Sequence, residues 1–416
     1  MNFILLILSL FVPLTAQAQW TPAERNWFVS FSERPARFAD AYGSTVWGVL
    51  AADGMFRSAA PGNSPFVPTL LENARYRTGW IEGNSSFQSA DVDGNKKIRA
   101  PLIILLPGIF MDGESAETIA LANYFYKRGY HVASLPNPWS PRAIRHKPRR
   151  KPGDLTFESR VTLELIRSIV EKIGADKVST VSLLGESYGA ILSTAVFATD
   201  QSDLRPIING KVMGISPPLN LRDGASRLDE GIEKNEGRFG ECGSLPVVWT
   251  LFRKILGRPN AVQSELGERA LNCMEPLVFR VFRDSLADSV AAIKSSLINE
   301  AGNSEFLPDP SAEARVAPRK TGLRFGKVFD TIVPENKPLL RSPIGDLSYW
   351  ANQLSPESRE RLRIISASDD LLNVGKTWST DESPAFSKEN LFLLPWGGHL
   401  GFMADPDFVK LLDIAY

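Results

Sequence analysis

A serine with a glycine two residues away on either side occurs in Gly185-Glu186-Ser187-Tyr188-Gly189, with an apolar run before it and small, apolar residues after it. This Gly-x-Ser-x-Gly spacing is typical of a tight strand-to-helix turn that presents a nucleophilic serine above a sheet edge. A hydroxyl of ordinary pKa also needs a base, a group that orients the base, and donors for an oxyanion. The backbone amide of Tyr188, at the start of the next helix, is one candidate donor. An ordinary turn serine is the alternative interpretation.

The candidates for the base are few, because the chain has only three histidines. His131 opens a predicted strand and His146 lies in a basic stretch, and both precede Ser187 in the chain. His399 follows the last apolar run and comes after two glycines, which give its loop the freedom to approach the serine. We therefore predict that His399 is the base.

Two adjacent aspartates, Asp369 and Asp370, end the apolar run that precedes the histidine loop. A carboxylate there could accept a hydrogen bond from the N–H of one ring nitrogen and so orient the imidazole. The order serine, aspartate, histidine along the chain is the order found when all three groups follow successive strands of one parallel sheet. From spacing alone, either aspartate could fill this role.

Short apolar runs alternate with amphipathic stretches from residue 101 onward, which predicts an α/β fold with a mostly parallel sheet and helices on both faces. The predicted strands are 101–108, 131–136, 178–185, 211–218, 362–368 and 390–395, and the predicted helices are 115–129, 157–174, 187–198 and 405–416. Because each candidate side chain follows a strand, all of them should meet at the edge where such sheets bind ligands.

With these motifs, residues 95–218 and 360–416 resemble the alpha/beta-hydrolase superfamily. The resemblance implies the alpha/beta-hydrolase fold, with Ser187 as nucleophile and His399 as general base and then general acid. It favours Asp370 as the orienting acid, because the second acid of Ala-Ser-Asp-Asp-Leu-Leu aligns with the superfamily pattern; Asp369 remains the alternative.

The same resemblance implies a second oxyanion donor, the backbone amide of Ile109, in the loop after the first core strand. Pro107-Gly108 stands there in place of the His-Gly found in most members. The mechanism needs no cofactor. The sequence shows no Cys/His cluster that suggests a metal and no phosphate-binding loop.

Four segments follow from the pattern. Residues 1–18 have a short apolar run followed by Ala-Gln-Ala, which predicts a cleaved signal peptide and export to the periplasm or the extracellular space; a buried N-terminal helix is the alternative. Residues 19–97 form an N-terminal extension, and residues 98–218 with 361–416 form the core. Residues 219–360 lack strand signals and are expected to form a large helical lid.

The only two cysteines, Cys242 and Cys273, lie in this lid. Export would permit a disulfide between them, and the chain-entropy argument assigns such a loop roughly 3–4 kcal/mol of stabilisation. Two buried free thiols explain the sequence equally well.

The 47 basic and 47 acidic side chains cancel, so the overall charge does not indicate nucleic acid, an anionic membrane or a polyacidic substrate as a partner. One local exception is the basic run 142–151, which is either a solvated loop or a surface that attracts an anionic substrate, a membrane or an acidic envelope. Within the lid, residues 249–257 could face an acyl chain or pack on the core.

The substrate is indicated only by two local resemblances. Gly-Gly-His-Leu-Gly-Phe at 397–402 resembles a branch of carboxylic and fatty-acyl ester hydrolases, which favours a small-molecule or lipid ester as substrate. Gly-Glu-Ser-Tyr-Gly-Ala at 185–190 resembles the turn of exported serine peptidases, so an amino- or carboxypeptidase is the alternative. A third hypothesis is a non-catalytic binding module on the same fold.

Overall fold

The computed structural model describes residues 21–34, 41–46, 48, 69–70, 86–88, 99–113, 115–146, 152–242, 272–300, 322–332, 343–373, 386 and 390–416. The predicted signal peptide at 1–18 lies outside these residues. So do the lid stretch 249–257 and the second half of the basic run, 147–151.

One sheet of eight strands forms the centre of the described structure. The strands are β1 (Thr69–Leu70), β2 (Ser86–Gln88), β3 (Ala100–Leu106), β4 (His131–Ser134), β5 (Val178–Glu186), β6 (Val212–Ile215), β7 (Leu362–Ala367) and β8 (Leu391–Leu394). Their order across the sheet is β1-β2-β4-β3-β5-β6-β7-β8. β1 pairs antiparallel with β2, and β2 pairs antiparallel with β4. The remaining six strands are parallel to one another.

Helices connect and cover these strands. The α-helices are α1 (Pro22–Ser32), α2 (Ala116–Tyr126), α3 (Pro141–His146), α4 (Leu155–Ile173), α5 (Tyr188–Gln201), α6 (Leu221–Asn235), α7 (Met274–Glu300), α8 (Phe325–Ile332), α9 (Leu347–Asn352), α10 (Pro356–Arg359) and α11 (Pro406–Ala415). Residues 41–46 are also helical. No helix among the described residues is both long enough and apolar enough to cross a bilayer.

The sheet is buried on both faces, which explains why its strands are uninterrupted apolar runs. In β3, Leu102, Ile104 and Leu106 point into one core cluster, and Ile103 and Leu105 point into the other. The first cluster lies against α4, α5 and the lid helices, and the second lies against α1, α2 and α11. The α/β class and the predicted strands and helices of the core are confirmed.

The N-terminal extension is tied to the core by its own side chains. Glu24 in α1 is fully buried, and its Oε1 lies 3.1 Å from Nζ of Lys211 and 3.9 Å from Nε of Arg363. The indole of Trp27 donates a hydrogen bond of 2.6 Å to the carbonyl of Asp407 in α11. Pairing of β2 with β4 adds further backbone bonds, so part of the extension continues the sheet.

The described part of the lid, within 219–360, contains helices and no strand longer than an isolated bridge. Cys242 and Cys273 form a disulfide with Cα atoms 5.4 Å apart, so the structure supports the disulfide rather than free thiols. The bond links the segment that follows α6 to the residue that precedes α7. These two helices pack so closely that a Cβ atom on Gly231 would lie 2.1 Å from the ring of Phe279.

Candidate active site

The turn between β5 and α5 places Ser187 in a strained backbone conformation, with φ 54° and ψ −119°. A Cβ atom on Gly185 would lie 2.2 Å from the carbonyl oxygen of Gly189, and one on Gly189 would lie 1.9 Å from the carbonyl oxygen of Leu106. Real Cβ atoms do not approach backbone this closely, so both glycines are required by the turn. The amide of Ser187 donates to the carbonyl of Ile215 at 2.8 Å, which fixes the turn to β6.

Ser187, His399 and Asp370 form one chain of hydrogen bonds. The distance from Nε2 of His399 to Oγ of Ser187 is 2.9 Å. Nδ1 of His399 lies 3.1 Å and 3.0 Å from the two carboxylate oxygens of Asp370. All three side chains are buried, with exposures of 4% for the serine, 3% for the histidine and 0% for the aspartate. Three residues that the sequence singled out are therefore in direct contact.

The adjacent aspartates have different partners. Asp370 contacts the imidazole, and its Oδ1 also accepts the amide of Leu372 at 2.9 Å. Asp369 instead accepts the amide of Gly398 at 2.8 Å, so it holds the backbone of the histidine loop and not the ring. Burial raises the pKa of Asp369, while the backbone amides of the loop act in the opposite direction. The geometry thus favours Asp370 over Asp369 as the orienting group.

The N-terminal extension also contacts the histidine loop, a contact that the sequence did not predict. Oγ1 of Thr45 accepts the amide of His399 at 2.8 Å. A Cβ atom on Gly398 would lie 2.2 Å from the carbonyl oxygen of Ala41, and one on Gly401 would lie 2.2 Å from that of Ser44. The glycines of the loop are therefore needed for the close approach of residues 41–46, and this segment positions the imidazole.

The backbone on the far side of the imidazole is fixed by Ser216, which follows β6. Its Oγ accepts the amide of Leu400 at 3.2 Å, and its own amide donates to the carbonyl of Ile365 at 2.7 Å. Both Ser216 (φ 48°) and Leu400 (φ 66°) have left-handed backbone conformations. Such strain is retained where surrounding contacts specify it, often at functional sites.

The two predicted oxyanion donors, Tyr188 and Ile109, line the same cavity as Ser187. Tyr188 is the first residue of α5, where the backbone amide has no acceptor within its own helix. Ile109 lies in a turn closed by a hydrogen bond of 3.2 Å from the amide of Met111 to the carbonyl of Gly108. Both residues therefore border the cavity that Ser187 also lines, which is where the prediction requires them.

A buried carboxyl group supports the Tyr188 side chain. The phenol donates to Oε2 of Glu158 at 2.7 Å, and Oε1 of Glu158 accepts the amide of Gly153 at 2.6 Å. Burial raises the pKa of Glu158 to about 7, although these two hydrogen bonds act to lower it. Burial also raises the pKa of the Tyr188 phenol. Glu158 was not identified from the sequence. It could have been found as an acidic residue on the apolar face of an amphipathic helix, the face that also carries Leu155, Val161 and Leu165.

Glu186, next to the nucleophile candidate, is a second buried acid, only 3% exposed. Among the described residues its Oε1 has no hydrogen-bond partner. Burial raises the pKa of Glu186 to about 7. Burial therefore favours the neutral form of this side chain, which directly precedes Ser187 in the chain.

An apolar cavity opens beside Ser187. Its lining, apart from the serine, consists of apolar side chains, one tyrosine and one glycine: Ile109, Tyr188, Pro218, Leu221, Gly224, Ala225, Leu228, Phe282, Phe325, Phe329 and Leu372. The cavity volume is about 30 Å³, and the cavity is partly open to solvent. Pockets that hold drug-sized ligands span about 300–1,000 Å³, so this cavity accepts only a small group unless its walls move apart.

The acidic and imidazole side chains of the site do not form a metal-binding cluster. Within the ranges that the structure describes, there is no group of three or more His, Cys, Asp or Glu side chains able to hold a metal ion. Asp370 and Asp369, the acidic groups that contact the histidine and its loop, are already engaged in hydrogen bonds.

No protein-family model matches the sequence, and no curated protein sequence matches it. The structure is similar to that of VinJ, with a TM-score of 0.38, 11% identity and coverage of 84% of this chain and 98% of that chain. It is similar to a proline iminopeptidase from Mycobacterium smegmatis, with a TM-score of 0.37, 13% identity and coverage of 79% and 94%. A siderophore hydrolase from Aspergillus fumigatus gives a TM-score of 0.38, 13% identity and coverage of 79% and 92%.

The fold follows from the chain's own geometry. The sheet has six parallel strands after an antiparallel pair, in the order β1-β2-β4-β3-β5-β6-β7-β8. The tight turn at Ser187 joins the central strand β5 to α5. Asp370 and His399 follow the last two strands, β7 and β8. The chain therefore has the alpha/beta-hydrolase fold, as its sequence predicted.

Proposed function

We propose that this chain is an exported serine hydrolase that cleaves carboxylic esters through an acyl-Ser187 intermediate. One observation carries the proposal: the buried hydrogen-bonded chain of Ser187, His399 and Asp370 ends at an apolar cavity. A serine activated by a base, next to space for an apolar group, is the arrangement that acyl transfer requires.

In the first half of the reaction, Ser187 Oγ attacks the ester carbonyl and its proton passes to Nε2 of His399. The carbonyl oxygen becomes an oxyanion, which the backbone amides of Tyr188 and Ile109 stabilise. The carbon–oxygen bond to the alcohol then breaks, and His399 gives the proton to the departing alkoxide. This leaves the acyl group on Ser187.

In the second half, water attacks the acyl-enzyme and His399 takes its proton. Collapse of the second tetrahedral intermediate releases the carboxylic acid and returns the proton to Ser187 Oγ. Asp370 accepts a hydrogen bond from the Nδ1–H group of His399 throughout, which leaves Nε2 free to act as the base. Because Asp370 is fully buried, its charge also stabilises the imidazolium that forms in each step.

The apolar lining favours an ester with an apolar acyl group over a peptide with a charged end. A peptidase that removes single terminal residues must bind a charged amino or carboxyl group, and burying such a charge without a partner is costly. None of the described residues that line the cavity has a charged side chain. The peptidase alternative remains as an outcome of the test below.

Export is part of the proposal. The disulfide between Cys242 and Cys273 supports it, since disulfides persist in oxidising compartments such as the periplasm and the extracellular space. The signal peptide predicted at residues 1–18 would direct the chain to the same compartments.

A substrate comparison tests the proposed activity. We expect the purified protein to hydrolyse p-nitrophenyl esters, with kcat/KM rising by up to about fourfold for each methylene that the cavity accepts. We expect much slower cleavage of aminoacyl and peptidyl anilides, and loss of ester turnover in Ser187→Ala. Faster cleavage of the anilides would support the peptidase, and a folded protein that cleaves neither class would support the binding module.

A further inference from the structure

One wall of the cavity is formed by α8. Its residues Phe325 and Phe329 line the cavity and are 1% and 3% exposed. The ring centroid of Phe325 lies 5.9 Å from that of Phe110, and the ring centroid of Phe329 lies 4.4 Å from that of Trp139. The position of α8 therefore sets how much room the cavity offers.

One carboxylate anchors the start of this helix. Asp229 in α6 accepts the amide of Phe325 on Oδ1 at 2.5 Å and the amide of Gly326 on Oδ2 at 2.9 Å. The first amides of a helix have no acceptor within it, and the positive end of the helix dipole favours a negative charge there. Asp229 thus satisfies two amides of α8 at once from a neighbouring helix.

The anchoring residue is next in sequence to a residue that lines the cavity. Leu228 lines the cavity from α6, and Asp229 follows it and bonds to the start of α8, so the same turn of α6 contributes to one wall and holds the helix that forms another. A second, longer contact joins the same two regions, because Nη2 of Arg324 lies 3.8 Å from Oε2 of Glu236. This ion pair is weak at that distance and exposure, so Asp229 is the principal link.

We infer that Asp229 is a specificity-determining positioning residue, which limits the length of the acyl group by fixing α8 against the cavity. The inference rests on the proposed ester hydrolysis. Asp229 does not touch the reacting atoms, so its loss should leave the chemistry at Ser187 intact. Its loss should instead let the aromatic wall move outward and admit longer acyl chains.

The test measures kcat and KM for p-nitrophenyl esters from acetate to dodecanoate with wild type, Asp229→Ala and Asp229→Asn. In Asp229→Ala, we expect kcat/KM for the acetate ester to stay within about twofold of the wild-type value. We expect the ratio of kcat/KM for the longest ester to kcat/KM for the shortest to rise roughly tenfold, the size of effect that follows the loss of hydrogen bonds to a charged acceptor. Asp229→Asn keeps one carbonyl acceptor and should give an intermediate ratio. Glu230→Gln, an exposed neighbour in the same helix, is the matched control and should show the wild-type profile.

Two results would overturn the inference: an unchanged chain-length profile in folded Asp229 variants, or a fall in kcat/KM that is equal for all esters. Circular dichroism establishes folding, and if Asp229→Ala does not fold, the ratio for Asp229→Asn decides. A wild-type protein that hydrolyses none of the esters would instead overturn the proposed function, so the two failures are distinguishable.

Discussion

Replacing Glu158 by glutamine should make the stability of the protein less dependent on pH. Burial raises the pKa of Glu158 from 4.5 to about 7. The unfolded chain therefore releases this proton at lower pH than the folded chain, and the folded state loses stability as pH rises from about 4.5 to about 7. A shift of this size means that titration of Glu158 lowers the unfolding free energy by about 3 kcal/mol above pH 7, compared with its value below pH 4.5.

Glutamine removes the titration and can keep both contacts, because its carbonyl can accept the amide of Gly153 and its amide can donate to the phenol oxygen of Tyr188. Chemical denaturation at about pH 4 and about pH 8 should show the free-energy difference between variant and wild type change by about 3 kcal/mol in favour of Glu158→Gln. Glu164→Gln, exposed on the same helix, is the control and should show no such change. An equal difference at both pH values would refute the argument that Glu158 is neutral below pH 7.

Three further predictions concern the scaffold of the site. Gly189→Ala should abolish ester turnover and displace the turn, measured by activity and near-UV circular dichroism, whereas Gly240→Ala, with no atom near the added methyl, should be tolerated. Replacing Cys242 and Cys273 together by serine should lower the unfolding free energy by roughly 3–4 kcal/mol, and an unchanged denaturation midpoint would contradict this. Thr45→Val should lower kcat/KM by about tenfold because it leaves a buried amide without its acceptor, while Thr45→Ser should retain wild-type kinetics.

The core strands were predictable because parallel strands buried on both faces produce uninterrupted apolar runs, as in Pro101–Leu106. The relation between Ser187 and His399 was predictable for a related reason: both follow strands of one parallel sheet, so topology alone brings them to the same edge. These inferences need only local pattern and strand order.

Other parts of the site depend on packing between segments that are distant in sequence. Thr45 and His399 are 354 positions apart, and no local pattern indicates that they touch. Asp369 and Asp370 have nearly the same sequence environment, and only the path of the chain after β7 decides which one contacts the imidazole. The disulfide likewise depended on whether the lid brings Cys242 and Cys273 together.

Labelling with a fluorophosphonate, followed by identification of the modified peptide, tests the central claim most directly. The account predicts a single adduct on Ser187 in the wild-type protein and no labelling of Ser187→Ala. It also predicts that labelling and ester turnover fall at least about 10³-fold in His399→Ala. Wild-type labelling at another residue, or full ester turnover by Ser187→Ala, would contradict the account.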